Sequence, residues 1–114
     1  MSSAITSVLE SIDAGTAAER SVIKQAVKDS LAALVEVAPG HSVEIRIPPY
    51  AAVQAIPGAR HRRGTPPAVV ETDATTWLLL CVGRITWEQA RKEGRVHASG
   101  ERSDLSQWFP LEVA

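Results

Sequence analysis

Apolar residues recur every three or four positions through residues 1–38, which is the spacing of one face of an α-helix. A short helix is predicted within residues 1–15. A longer helix follows, with Thr16 and Glu19 at capping-box spacing and an end at the Pro39–Gly40 break. The shared apolar stripe consists of Ala4, Ile5, Val8, Leu9, Ile12, Val22, Ile23, Ala26, Val27, Leu31, Leu34 and Val35. The opposite face of the longer helix, which is typical of a solvated surface rather than a binding site, carries Arg20, Lys24, Lys28 and Glu36.

Beyond this break the pattern changes to an alternation of apolar and polar residues, which is typical of half-buried strands. Four strands are predicted at residues 43–47, 50–56, 68–72 and 95–99. Pro48–Pro49 separates the first two strands and is not a two-residue hairpin signature. Because proline cannot donate to a ladder, we expect this pair to bend a sheet edge or to make a kinked connection.

Two short helices are predicted between the last two strands. Asp73 is placed to accept hydrogen bonds from the first turn of a helix whose apolar body covers residues 77–82. Thr86 and Gln89 have capping-box spacing, so a second helix should cover residues 87–93. The complete pattern mixes helices with short strands and predicts an α/β domain of the α+β kind.

Composition and charge restrict what this domain does. The chain has 114 residues, enough for one core, so we expect a single domain over 1–114 with helices in 1–38 and the sheet and helix pair in 42–114. The 12 Lys and Arg residues against 13 Asp and Glu residues leave a net charge of -1, which predicts no nucleic-acid partner. The lone Cys81 fits a reducing, cytoplasmic setting, and no apolar run reaches the ~20 residues that a stable membrane insertion needs.

Catalytic signatures are missing from the sequence. There is no phosphate-binding loop, no nucleophile elbow and no paired-cysteine metal motif. The three histidines, His41, His61 and His97, have no ligand spacing. We therefore predict a protein that is not an enzyme and that uses no cofactor or metal. An enzyme acting on a small acid through Arg60, His61 and Arg62 is a weaker alternative.

The chemically unusual segment is the loop at residues 57–67, PGARHRRGTPP. Its Arg60, His61, Arg62 and Arg63 can present forked donors to a carboxylate or phosphate. A solvated basic turn and an anionic head-group or partner contact are both open interpretations. The loop contains no aromatic residue to stack on a base, which argues against a nucleic-acid site.

The stretch DATTWLLLCVGRITWEQARKEGRVHASGE resembles the C-terminal half of the sterol carrier protein type 2 family. The family's recurrent positions are matched by Gly83–Arg84, Ala90, Gly94–Arg95 and Gly100. The whole chain, including IRIPPYAAVQAIPG and RGTPPAVVETD, is similar to small actinobacterial proteins called bacterial sterol-carrier orthologues. It is also similar to the C-terminal accessory domain of mycothiol-dependent maleylpyruvate isomerases.

This resemblance implies a mostly antiparallel five-stranded sheet with helices packed on one face and an apolar tunnel. The expected function is non-catalytic binding or carriage of a hydrophobic or amphipathic small molecule, such as a fatty acyl chain, acyl-CoA or another lipid. The alternative is an accessory or interaction domain with a vestigial pocket, and a homodimer or a partner protein is left open. The apolar candidates for the ligand site are Val53, Trp77, Leu80, Trp87, Trp108 and Phe109, although core packing is favoured for Trp77. The basic loop at 60–63 is the candidate anchor for an anionic head group.

Overall fold

The computed structural model describes residues 2–58, 68–100 and 103–111. Eight helices and strands follow one another there, and the sequence pattern predicted each of them. They are α1 (Ser3–Ala14), α2 (Arg20–Val37), β1 (Val43–Ile47), β2 (Ala51–Ala55), β3 (Ala68–Thr72), α3 (Ala74–Cys81), α4 (Trp87–Lys92) and β4 (Val96–Ser99). A 3-10 turn, Ser106–Trp108, comes after β4. The predicted α+β class is confirmed.

The described strands form one sheet in the order β2-β1-β3-β4. β1 pairs with β2 and β3 pairs with β4 in antiparallel fashion, while the central β1–β3 pair is parallel. The expectation of a mostly antiparallel sheet is therefore confirmed. The number of strands differs, because the described residues form four strands where five were expected.

The connection between β1 and β2 is tighter than the sequence suggested. The Tyr50 backbone N–H donates to the Ile47 carbonyl oxygen at 2.8 Å, so the chain reverses within four residues. The Pro48–Pro49 peptide bond within this turn is cis. Pairing begins at once with Ile47 opposite Ala51, so β1 and β2 form a hairpin with a three-residue connection. Neither proline has to donate, because both lie in the turn and outside the ladder.

The helices cover one face of the sheet, as expected. Side chains at alternate strand positions are buried in the core, including Ile45, Val70 and Val96. The intervening positions carry polar side chains such as Glu44 and His97, and they form the other face of the sheet. The alternation therefore separates a packed face from a polar face, as in a sheet that faces water on one side.

The first two helices begin differently. Ser2 caps α1, because its hydroxyl accepts from the Ile5 backbone N–H at 3.1 Å. The predicted capping box at Thr16 was wrong, since α2 begins at Arg20 after Glu19, whose side chain makes no capping hydrogen bond. The amphipathic stripe of α2 still holds this helix on the core, with Ala26, Val27, Ser30, Leu31 and Leu34 buried.

The predicted caps of α3 and α4 are both present. Asp73 accepts from the Thr76 backbone N–H at 2.9 Å and also from the Thr76 hydroxyl at 2.6 Å. Thr86 accepts from the Gln89 backbone N–H at 3.1 Å. Arg95 lies just before β4, which begins at Val96, and not on the polar face of that strand. Its Nε donates to the Thr76 hydroxyl at 3.1 Å. The guanidinium of Arg95 thus ties the start of β4 to α3.

A close approach of two backbone segments requires a glycine at position 40. Gly40 has φ of 153°, and a Cβ atom there would lie 2.1 Å from the Ile56 carbonyl oxygen. This contact lies where the segment after α2 passes the end of β2. A larger residue at position 40 would push these two segments apart.

Candidate functional site

An apolar groove of about 540 Å³ lies between α2 and β2. Its helical side consists of Lys28, Leu31, Ala32, Val35 and Glu36, and its strand side consists of Ala51, Ala52 and Val53. Leu31 is buried at the floor of the groove, whereas Ala32 is exposed at its mouth. Six of the eight lining residues are therefore aliphatic, and the groove is open to solvent along the edge of the sheet.

The two charged residues lie at opposite ends of this groove. Lys28 and Glu36 are eight positions apart on α2, which corresponds to about 12 Å along a helix. The backbone N–H of Ile56 donates to the carbonyl oxygen of Ala38 at 2.7 Å, so the C-terminal ends of α2 and β2 lie together. The groove therefore has a cationic end near the start of β2 and an anionic end near its finish.

A second feature is an aromatic cluster of Trp77, Trp87 and Phe109. The Phe109 ring packs edge-on against Trp77, with centroids 5.6 Å apart, and it stacks on Trp87 at 6.2 Å. The Leu111 backbone N–H donates to the Cys81 carbonyl oxygen at 2.8 Å and holds the segment after the 3-10 turn against α3. The cluster thus joins α3, α4 and residues 103–111.

A second groove of about 370 Å³, lined by both apolar and polar residues, borders this cluster. Trp87 and Phe109 contribute to its wall, together with the carboxylates of Glu88 and Asp104. Asp104 accepts from the Ser106 backbone N–H at 2.8 Å, and this hydrogen bond holds the pKa of the Asp104 carboxyl below its usual range. The charged residues that line this groove are both acidic, whereas Lys28 lines the groove on α2, so this groove is less suited to an anionic amphipath.

Trp77 lies in the core. Its side chain is 0% exposed, and its Nε1 donates to the Ser30 hydroxyl at 2.9 Å. Ser30 in turn donates to the Val27 carbonyl oxygen at 2.9 Å. Burial raises the pKa of the neighbouring Cys81 thiol, while a hydrogen bond with Ser30 acts in the opposite direction. This polar chain is internal and presents no group to either groove.

Charged side chains lie on the polar face of the sheet, among them Glu44, Arg46 and Glu71. Arg46 and Glu44 form an exposed ion pair at 3.1 Å, and this contact raises the pKa of the Arg46 guanidinium. Within residues 2–58, 68–100 and 103–111, no three His, Cys, Asp or Glu side chains are grouped so as to hold a metal ion. No helix in these ranges is long and apolar enough to cross a bilayer.

The residues proposed from the sequence lie in different places. Val53 lines the groove on α2, whereas Trp87 and Phe109 line the second groove. Leu80, like Trp77, is 0% exposed and touches no open groove. Trp108 is half-buried, and its Nε1 has no hydrogen-bond partner among the described residues. Arg60, His61, Arg62 and Arg63 lie outside the described residues.

Sequence reasoning missed most of the groove on α2. It assigned Leu31 and Val35 to the core stripe and Lys28 and Glu36 to a solvated face. One signal was present, because Ala32 puts a small apolar residue midway between Lys28 and Glu36 on an otherwise polar stripe. That β2 lies beside this stripe could not be read from the sequence.

Both grooves lie within one family match. The family described as bacterial SCP ortholog matches residues 19–111, more than four fifths of the 114-residue chain. The chain belongs to the bacterial SCP ortholog family. The resemblance to sterol carrier proteins that the sequence suggested is thereby confirmed. No curated protein matches the chain.

The family match covers all the residues that line the apolar groove between α2 and β2. The matched residues begin directly before α2 and end at Leu111, so they include the helix, the sheet and the aromatic cluster. Helix α1 precedes the matched range. Every described residue that lines the apolar groove therefore belongs to the part of the chain that the family shares.

Proposed function

We propose that this bacterial SCP ortholog binds, without chemical conversion, an amphipathic small molecule whose apolar tail lies in the groove between α2 and β2. The observation that carries this proposal is the groove itself, which has an aliphatic lining, a volume of about 540 Å³ and a charged residue at each end. A volume in the range of about 300–1,000 Å³ is typical of small-molecule sites. Membership of a carrier-like family supports the same function.

Burial of the tail supplies the attraction. Each Å² of apolar surface removed from water contributes about 25 cal/mol, and this term has no preferred direction. The groove is about 12 Å long between its charged ends, by the rise of an α-helix, so it accommodates part of a fatty acyl chain or a short whole one. An open groove leaves one side of the tail in water. We therefore expect modest affinity for a single chain of the protein.

A charged side chain at the end of the groove fixes the orientation of the ligand. Lys28 is exposed at one end of the groove and can pair with a carboxylate or phosphate that ends the tail. The basic loop at residues 60–63 is the other candidate, proposed on sequence alone. The two anchors are separable because they lie in different segments of the chain.

The test compares dodecanoic acid with its methyl ester by isothermal titration. We expect wild type to bind both ligands and Lys28→Gln to weaken the acid by about 1–3 kcal/mol more than the ester, the size of a charged hydrogen bond. Lys24→Gln is the matched control, since Lys24 is exposed on the same helix and does not line the groove. Ala32→Glu should weaken both ligands at least about tenfold, because it places a charge against the tail.

The second anchor is tested in the same titration. If the loop holds the head group, Arg60→Gln with Arg62→Gln will weaken the acid and spare the ester, while Lys28→Gln will not discriminate between the two ligands. If acid and ester lose affinity equally in both sets of variants, neither Lys28 nor the basic loop holds the head group. Failure of wild type to bind either ligand would refute the proposal and favour the interaction-domain alternative.

A further inference from the structure

The strand that borders the groove lies at the edge of the sheet that the described residues form. Among the described strands β2 is the last in the sheet, and β1 is its partner. An edge strand presents unpaired N–H and C=O groups along one side, and natural edges are commonly blocked by charge, proline or a bulge. The β2 sequence, AAVQA, contains no charge and no proline, and its five residues pair with β1 without interruption.

The helix above this edge carries opposite charges at its two ends. Lys28 lies near the start of β2 and Glu36 near its finish, because the C-terminal ends of α2 and β2 are joined by the Ile56–Ala38 hydrogen bond. Both charged residues are exposed, and eight positions on one helix keep them too far apart to pair with each other. The described part of the chain contains no salt bridge for either residue.

A two-fold axis that relates two copies of the chain would bring these opposite charges together. Antiparallel pairing of β2 with a second β2 about Val53 places the start of each strand opposite the finish of the other. The same rotation places the Lys28 end of one α2 beside the Glu36 end of the second α2. Parallel pairing in the same register would instead set like charges together. The surface is thus self-complementary, as an isologous interface requires.

We propose that two copies of this chain associate edge to edge through β2, with Lys28 of each copy facing Glu36 of the other. The occupant of the β2 edge is therefore a second copy of the same chain. Pairing extends the four described strands of each copy into one continuous sheet and sets the two open grooves side by side.

The association also completes the proposed ligand site. Each groove is open on the side of the sheet edge, and the second copy covers that side with its own aliphatic residues, among them Ala32 and Val53. This consequence rests on the proposed function, whereas the pairing itself does not. The bound tail would lose more contact with water in the dimer than in one copy, so we expect tighter binding by the dimer.

Sedimentation equilibrium of the full chain without ligand tests the pairing. We expect a species of twice the 12.2 kDa chain mass that dissociates on dilution. Lys28→Glu alone and Glu36→Lys alone should each raise the dimer dissociation constant about tenfold or more, since one substitution replaces two attractive contacts with repulsive ones. The double variant Lys28→Glu with Glu36→Lys should restore the dimer. These differences should shrink in about 1 M salt.

Lys24→Glu is the control, because it makes the same change of charge on the same helix away from the groove and should leave the dimer intact. Circular dichroism checks that each variant is folded. A wild-type protein that is monomeric at every concentration would overturn the inference. A dimer dissociation constant that neither single substitution changes would also overturn it, and so would a double variant that stays dissociated. A dimer with no affinity for dodecanoic acid or its ester would refute the proposed function and leave the pairing in place.

Discussion

The indole Nε1 of Trp77 donates a hydrogen bond to the hydroxyl of Ser30 at 2.9 Å, joining α3 to α2 across 47 residues of sequence. Both side chains are 0% exposed. The Ser30 hydroxyl in turn donates to the Val27 carbonyl oxygen, so each buried polar atom of the pair has a partner. A buried indole N–H without an acceptor is costly, which explains why a serine occupies the apolar stripe of α2.

Ser30→Ala should lower the free energy of unfolding by about 1–3 kcal/mol, because it leaves the Trp77 N–H buried and unpaired. Guanidinium unfolding followed by tryptophan fluorescence measures this loss. Ser21→Ala, on an exposed position of the same helix, is the control and should change stability by less than about half a kcal/mol. Equal stability of wild type and Ser30→Ala would show that the hydrogen bond contributes nothing.

The neighbouring leucines of α3 should respond differently. Leu80 is 0% exposed, so Leu80→Ala should cost about 2–5 kcal/mol through lost burial and the cavity left behind. Leu79 is only half-buried, and its replacement by Ala should cost less. Urea denaturation of both variants tests the difference. Similar losses at the two positions would contradict the assigned orientation of α3.

Cys81 should be unreactive in the folded protein. Burial raises the pKa of its thiol, so the folded state keeps its proton at pH values where the unfolded chain, with a pKa near about 8.5, begins to lose it. The folded state then binds more protons than the unfolded state, and stability falls as pH rises above that value. We expect a disulfide reagent to label Cys81 at pH 8 only in denaturant.

The stability of a Cys81→Ala variant should accordingly fall less than that of wild type between pH 7 and pH 10. Paired denaturant titrations at the two pH values give this difference directly. Rapid labelling of the native wild type, or identical pH dependence of both proteins, would contradict the burial of the thiol.

Phe109 should hold residues 103–111 against the helices. Phe109→Ala removes two ring contacts, which at about 0.5–1.5 kcal/mol each predicts a loss of about 1–3 kcal/mol in addition to the lost apolar area. Phe109→Leu keeps an apolar side chain and should lose mainly the ring contribution. Thermal unfolding ranks the three proteins, and the order wild type, Leu, Ala is expected. Equal melting of wild type and Ala would show that the cluster is not needed for the fold.

Local patterns were sufficient for the individual elements. The three- and four-residue spacing along α2 and the alternation over β1 act within a few residues, so periodicity identified both. The caps at Asp73 and Thr86 were predictable for the same reason, since each acceptor serves a backbone N–H three residues away. The Thr16 prediction failed although its spacing was right, because α2 begins only at Arg20.

Contacts between distant segments decided what the sequence alone did not. The hairpin through Pro48–Pro49 depends on the pairing of β1 with β2, and the parallel β1–β3 pair brings together strands separated by the whole of β2 and the loop after it. The spacing of residues within one segment does not show which distant segment pairs with it.

The sequence by itself determined the α+β class, the core face of each helix and the family resemblance, because these depend on residue type and short-range periodicity. Only the tertiary structure decided that Leu80 touches no open groove and that Lys28, Val35 and Val53 share one. The physical reason is that a groove is the space between two surfaces. Its existence depends on how α2 lies over the edge strand, and no single stretch of the chain contains that relationship.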